Sequence, residues 1–343
     1  MRFGLFLNTP PTWDPRLRFE TTLEMAVRAE RHGFDTVVVP QHFADTGQRL
    51  LQPLPMLGRL SGATSSIRIG TGILLAGLLN PYEVAEGIAT IDVMSGGRAL
   101  LGVGAGHRPE ELNAFDCPKA ERGRRLEQCL TDVRTLWSMP TYGDVKPTVI
   151  DPISLAPQQA DVPIWVAGTS DAGVRRAARV GEAWYVGPGT NVATLDRQLG
   201  VYREELARMG RAMPAELPIR RDVFLTTDAA DRERLDATLA RRYQAQGESG
   251  YQGDLPSQDR VARADLAASG ADWASLVGHE VISGDFYDCA DQLVELATHI
   301  PAEALVMLRV AWPHLDSEQL LDQLDALGEL TPRLAEVGAK TDG

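Results

Sequence analysis

Lysine is almost missing from this chain: 343 residues contain Lys119, Lys146 and Lys340 and no others. None follows a glycine-rich loop, so the G-x-x-x-x-G-K-[ST] phosphate cradle of nucleotide hydrolases is absent. Lys and Arg together number 34 against 47 Asp and Glu, a net charge of −13. An acidic surface repels phosphate backbones, which excludes a nucleic-acid binder that lacks a local basic patch. The one basic cluster, Arg122, Arg124 and Arg125, reads as a turn of a solvated helix. Cysteine is as scarce. Cys117, Cys129 and Cys289 are odd in number, far apart and without C-x-x-C, which argues against a disulfide scaffold and a thiolate zinc site. They fit a reducing, cytoplasmic setting. No apolar stretch approaches 18 residues, so no membrane span is expected. Residues 1–8 start like a signal peptide, but Asn8, the prolines and Asp14 follow too soon. H-E-x-x-H and G-x-S-x-G are both missing, which argues against a histidine metal site and a serine-hydrolase elbow; no metal is expected.

What is present is an alternation of short apolar runs and longer amphipathic ones. Strands are expected at 3–7, 36–39, 67–75, 99–103, 164–166, 184–186, 222–225 and 305–308. Helices are expected at 18–32, 81–94, 120–137, 171–180, 192–209, 228–244, 289–298 and 317–334, with Gly33 stopping the first and Pro81 suited to a first turn. Alternating βα units imply a parallel sheet covered by helices. Eight of them, with no shift in pattern that would mark a second domain, favour a closed (β/α)8 TIM barrel spanning 1–343 over a doubly wound sheet. Residues 247–284 differ: rich in Gly, Ser, Asp and Ala, weakly periodic, and placed after the seventh strand. They read as an inserted excursion, either a lid at the catalytic face or a surface loop.

In such a barrel the active site gathers at the C-terminal ends of the strands. The residues there include Asn8, Gln41, His42, Gly72, Ile73, Gly104–His107, Ala167–Ser170, Gly187, Thr226 and Trp312. GVGAG at 102–106 lacks the third glycine of a dinucleotide fingerprint, since His107 stands three after Gly104, and it follows a fourth strand rather than a first. It reads as a strand end where a flat ligand or a backbone comes close, or as a tight turn. Gly168, Thr169, Ser170 and Asp171 lead into a helix whose first N–H groups are unpaired. That arrangement serves a phosphate or, equally, ordinary capping. His42 can donate a hydrogen bond or move a proton near neutral pH, or play a structural part.

At these residues the sequence resembles the bacterial luciferase-like family of flavin-dependent oxidoreductases. The resemblance rests on MRFGLFLN (1–8), AERHGFDTV (29–37), IRIGTG (67–72) and PIWVAG (163–168). Its strongest block is 100–137, with SGGR (95–98) just upstream, containing GVGAG, RPEEL (108–112) and ERGRRLE (121–127). It covers most of the chain except 247–284. It implies a (β/α)8 barrel with a flavin or deazaflavin across the strand ends, its ring beside Gly72 and Ile73, where the family often has a non-prolyl cis peptide. Gly104, Ala105 and Ala167 would flank the cofactor, and its phosphate would sit near Gly106, Gly168, Thr169 and Ser170. His42 falls on the family's histidine after the second strand and is the expected catalytic residue. Two departures stand out. Ala105 replaces the arginine that luciferases use for the phosphate, a charged contact of about 1.5–3 kcal/mol that Arg108 or backbone donors would have to replace. Gln41 stands where luciferases have a second histidine and some deazaflavin enzymes an aspartate. Luciferase chemistry on a long aldehyde is therefore not expected.

The expectation from this resemblance is a two-component monooxygenase that uses reduced FMN from a separate flavin reductase, and O2, to oxidise a small organic substrate. The alternatives are hydride transfer with the deazaflavin coenzyme F-420 and a barrel that binds flavin without turnover. Asn8, Gln41, Trp184 and Trp312 are candidates for the substrate side, predicting an apolar or aromatic compound; core packing explains both tryptophans equally. The family's habits imply a homodimer.

Overall fold

The computed structural model describes residues 1–44, 47–138, 153–226, 228–249 and 281–338. The chain opens with β1 (Arg2–Phe6), α1 (Pro15–Arg31), β2 (Thr36–Val39), α2 (Pro53–Ser61) and β3 (Arg68–Thr71). After a 3-10 turn at Ala76–Leu78 come α3 (Pro81–Ser95), β4 (Ala99–Val103), α4 (Pro109–Ala114) and α5 (Arg122–Ser138). Next are β5 (Ile164–Ala167), α6 (Asp171–Val180), β6 (Ala183–Tyr185), α7 (Val192–Arg208), β7 (Leu217–Leu225) and α8 (Ala229–Ser249). The last elements are β8 (Val281–Gly284), α9 (Phe286–His299), β9 (Ala304–Arg309) and α10 (Ser317–Gly338).

Every ladder between these strands is parallel, in the order β6-β5-β4-β3-β2-β1-β9-β7-β8. The sheet curls until its ends meet at a bridge between Val186, just beyond β6, and Ile219 of β7. There the Val186 N–H donates to the Pro218 carbonyl at 2.8 Å, and the Arg220 N–H to the Val186 carbonyl at 3.1 Å. β1–β7 and β9 thus form the expected eight-stranded barrel. β8 is the addition. Ile219 already pairs with Val306 of β9 on its other edge, so β8 extends the edge that Val186 begins, pairing Asp222–Leu225 with Val281–Gly284.

The structure therefore corrects both ends of the expected 247–284 excursion. Residues 247–249 complete α8, and Val281–Gly284 is a buried parallel strand. Residues 250–280 lie outside the described residues, and the choice between lid and loop with them. The sequence reading also missed α2. Pro53 in its first turn is a start signal, and Met56, Leu57 and Leu60 are the buried face. It began β7 five residues late because Arg220, Arg221 and Asp222 interrupt the apolar run.

Strand residues alternate between two packing layers. Those facing outward pack against the helices. Those facing inward, including Phe6, Val38, Leu100, Trp165, Tyr185 and Met307, form a second core inside the barrel. Its lower end is closed by charge. Glu216 accepts from Arg68 at 2.8 and 2.7 Å, from Arg2 at 3.2 Å and from Trp165 Nε1 at 3.0 Å. Burial raises the Glu216 pKa, but these donors outweigh it and hold the carboxyl below its ordinary range.

The approach to β3 is clamped from two sides. Glu30, at the end of α1, accepts the N–H groups of Ser65, Ser66 and Ile67 at 2.8, 2.6 and 3.0 Å. Arg98 donates to the carbonyls of Ser61, Thr64, Ile67 and Ser95. Burial opposes ionisation of Glu30, yet its backbone donors lower the pKa to about 2. A carboxylate with a depressed folded pKa adds stability above its unfolded value, and that stability is lost as pH falls through the folded one. Glu30→Gln is expected to lower stability at neutral pH and to lose less than wild type between pH 4.5 and 2. Denaturant melts across that range check this, and parallel curves for the two proteins would sink it.

Candidate functional site

One cavity of about 360 Å3 opens at the C-terminal ends of the strands. Its walls include Phe6, Gln41, His42, Gly72, Ile73, Gly104–His107, Ala167–Ser170, Tyr185–Pro188 and Arg220. Every residue expected to hold the cofactor is among them. The peptide between Gly72 and Ile73 is cis. Before it, the Gly72 N–H donates to Val39 at 2.9 Å; after it, the Leu74 N–H rejoins β4 at Gly102 (2.7 Å), and Gly104 N–H returns to Leu74 (3.0 Å). A methyl group on Gly104 would collide with Cδ1 of Ile73, so the isoleucine lies across a site that only glycine leaves open.

The loop from β5 into α6 forms the facing wall. Ser170 caps α6, accepting from the Gly173 N–H at 3.2 Å, and Gly168 packs so closely that a Cβ there would lie 2.5 Å from the Gly173 carbonyl carbon. Trp184 Nε1 donates to Gly168 O at 2.8 Å and Gln198 Nε2 to Thr169 O at 2.6 Å. Capping and cavity lining therefore coexist in one segment.

His42 is fixed by a carboxylate that the sequence reading did not single out. α4 carries Glu111, wholly buried, to the end of β2. Its Oε1 accepts from His42 Nδ1 and from the Phe43 N–H, each at 2.8 Å. Burial pushes the Glu111 pKa up, but the hydrogen bonds from His42 and Phe43 hold it below the ordinary carboxylate range. An ionised acceptor makes Nδ1 the donor, so that in the neutral ring Nε2 of His42 is the acceptor nitrogen. His107 stands edge-on to His42 with ring centroids 6.2 Å apart. Desolvation and then the charge of His42 push the His107 pKa well below the histidine range, although part of its surface remains open to solvent.

Lys119, Arg122 and Arg176 also line the cavity. This corrects the reading of Arg122 as part of a solvated helix face: Arg124 is exposed, while Arg122 at the first turn of α5 lines the cavity. Arg176 is held by Glu127, with Nε to Oε1 at 2.9 Å, and Gly123 leaves the space its guanidinium occupies. Arg108, offered as a substitute for the missing phosphate arginine, is not among the lining residues.

The substrate-side candidates separate. Gln41 lines the cavity, but its amide is committed to the protein: Nε2 donates to Gln52 at 3.0 Å and Oε1 accepts from Leu75 N–H at 2.9 Å. Asn8 borders a separate small space beside Arg18. Trp184 lies against Tyr202 of α7 with ring centroids 5.8 Å apart. Trp312 packs on Phe224 and donates to the Val223 carbonyl at 2.7 Å. Neither tryptophan lines the cavity; both are buried core residues. Strand alternation explains Trp184, because Ala183 and Tyr185 take the inward positions of β6. The same alternation would have nominated Tyr185, which sequence reasoning missed. Among the described residues no group of three or more His, Cys, Asp or Glu could hold a metal, and no helix is long and apolar enough to cross a membrane.

Fold and site together define a (β/α)8 barrel with a cavity at its strand ends. Residues 1–301 match the model of the luciferase-like monooxygenases, and the chain belongs to that family of oxidoreductases. It is 30% identical over 198 residues to an F420-dependent glucose-6-phosphate dehydrogenase of Microbacterium testaceum, a match covering 55% of this chain and 59% of that protein. A monooxygenase, RslO1 from Streptomyces bottropensis, superposes with a TM-score of 0.74 at 21% identity, covering 97% of this chain and 100% of its own. An F420-dependent secondary alcohol dehydrogenase solved with an F420–acetone adduct gives 0.73 at 19%, covering 96% and 98%. At these identities the two structures bear on the fold alone.

The His42–Glu111 pair makes a spectroscopic expectation. Nitrogen-15 spectra of wild type are expected to show His42 as the Nδ1–H tautomer, and Glu111→Ala to release it to a mixture. A wild-type ring protonated at Nε2 and not at Nδ1 would contradict the geometry.

Proposed function

We propose that this chain is a hydride-transfer oxidoreductase that uses a flavin-type cofactor, the deazaflavin coenzyme F-420 in the first instance, and oxidises an alcohol carbon. The carrying observation is the hydrogen bond from His42 Nδ1 to the buried Glu111 carboxylate. Dehydrogenation of an alcohol removes a hydride from carbon and a proton from oxygen, and the proton needs an acceptor within hydrogen-bond reach. His42 offers Nε2 for that proton, and Glu111 stabilises the imidazolium that results. The cofactor, when bound, supplies the hydride acceptor.

The cavity suits such a cofactor. Gly72, Ile73 and Gly104 would form the bed for a flat ring, and a Cβ at Gly104 would displace the Ile73 side chain that makes up that bed. Lys119, Arg122, Arg176 and the Gly168–Ser170 loop would hold an anionic tail. Leu75 and Val186 add apolar surface to the wall, which would help to keep water from a bound ring. The partial match to the F420-dependent dehydrogenase of Microbacterium testaceum supports the same reading.

A second reading is the two-component FMN monooxygenase, with O2 and a separate reductase as partners. The likeness of residues 100–137 to FMN-type members favours it, and there His42 would handle protons while the same apolar wall shields the ring. Titration with F-420 and FMN separates the two readings: tighter binding of F-420 is expected, and a preference for FMN of about tenfold or more overturns the deazaflavin reading. Across a panel of small alcohols followed by loss of the oxidised coenzyme's absorbance, His42→Ala is expected to cut turnover by about 10²–10⁴-fold while coenzyme affinity stays near wild type. Undiminished turnover would remove His42 from the chemistry; no turnover on any substrate, with coenzyme bound, would favour a binding barrel.

A further inference from the structure

The floor of the cavity holds polar groups for which neither the proposed proton transfer nor the rim cations account. Tyr185, the inward-facing end of β6, is 5% exposed, and its hydroxyl is buried with no hydrogen-bond partner. Arg220 reaches the same cavity from the middle of β7, where it pairs in register with Met307 of β9. Its guanidinium lies over the Phe6 ring, 3.9 Å from the centroid. Its Nε–H is buried without a partner. One terminal nitrogen meets Asp222 at 3.4 Å, a long contact to a carboxylate that also accepts Arg309 at 3.2 Å.

A buried hydroxyl and a buried guanidinium N–H left unpaired are costly, and proteins keep such groups where a ligand completes them. Burial raises the Tyr185 pKa, so the phenol keeps its proton and is a donor. The charge of Arg220 opposes that shift and the Asp222 carboxylate adds to it; Tyr185 and Arg220 both line the cavity. Two donors, one of them cationic, suit an acceptor oxygen carrying negative charge. Phe6 lies beneath the guanidinium and gives it a cation–π contact.

We propose that Tyr185 and Arg220 form an oxyanion subsite on the cavity floor, both donating to one negatively polarised carbonyl or carboxylate oxygen. Two sources present that chemistry: the carbonyl edge of a flavin-type ring and the carboxylate or ketone of a substrate. The ring as a source rests on the proposed function; the subsite itself does not.

Equilibrium titrations of wild type, Tyr185→Phe and Arg220→Lys test it with four probes: riboflavin, FMN, coenzyme F-420 and benzoate. Riboflavin has the ring without the phosphate, which takes the rim cations out of the comparison; benzoate is a carboxylate without the ring. Tyr185→Phe keeps the aromatic volume, and thermal unfolding shows whether each variant remains folded. Both variants are expected to bind at least one probe about tenfold or more weakly than wild type. Losses confined to the three ring compounds assign the oxygen to the cofactor, and a loss confined to benzoate assigns it to the substrate. If wild type binds benzoate alone and the variants lose it, the proposed function fails while the subsite stands. Folded Tyr185→Phe that binds every probe as wild type does, or a wild type that binds none, overturns the inference.

Discussion

Closure of the sheet is the constraint on which everything else rests. Two backbone hydrogen bonds at Val186 join the ends of a curled parallel ladder, and strands distant in sequence then deliver their ends to one rim. A cavity lined from β1 through β7 exists because of that closure. An open sheet of the same strands would spread Phe6, Tyr185 and Arg220 along a surface. Closure also creates an interior that must be filled, and the filling is graded: ion pairs around Glu216 below, aromatic and aliphatic side chains in the middle, ligand space above.

Within that frame the site is organised by groups satisfied from unexpected directions. Glu111 arrives on a helix of six residues to hold a histidine that follows another strand. Trp184, from the helix-facing side of β6, fixes the carbonyl of Gly168 on the cavity wall. Gln41 ties β2 to the turn after the cis peptide through Leu75. Each contact joins segments that are remote in the chain, so the shape of the cavity is a property of the packing between βα units rather than of any one loop.

That explains what could be read beforehand. The barrel was legible because each βα unit carries its own local signal: a short β-branched run, a glycine or proline boundary and an amphipathic helix. The glycine bed at Gly72 and Gly104 was legible for a similar reason, since small residues at strand ends have few other uses. Glu111 was not, because a glutamate in a short surface-looking helix becomes a buried partner only once β2 and α4 are placed side by side. Trp184 and Trp312 were misjudged by position: both stand near strand ends, yet one faces the helices and the other packs on Phe224. β8 carries too short an apolar run to be seen, Val281 and Ile282 being its aliphatic residues. Arg220 was hidden by the rule that charges break strands, which fails inside a barrel with a polar floor.

The rim cations have one more consequence. Lys119 lies in the segment before α5, Arg122 in its first turn and Arg176 on α6, and of the three Arg176 already pairs with the Glu127 carboxylate, so an anion among them would chiefly offset the charges of Lys119 and Arg122. A ligand tail held by all three would act as a staple across neighbouring βα units of the barrel wall, contributing to folding as well as to chemistry. By mass action, a ligand at 100 times its dissociation constant adds about 2.7 kcal/mol to the folded state. For a chain with three lysines and a −13 charge, the cofactor would then serve as a second counter-ion in the barrel wall, beside Glu127.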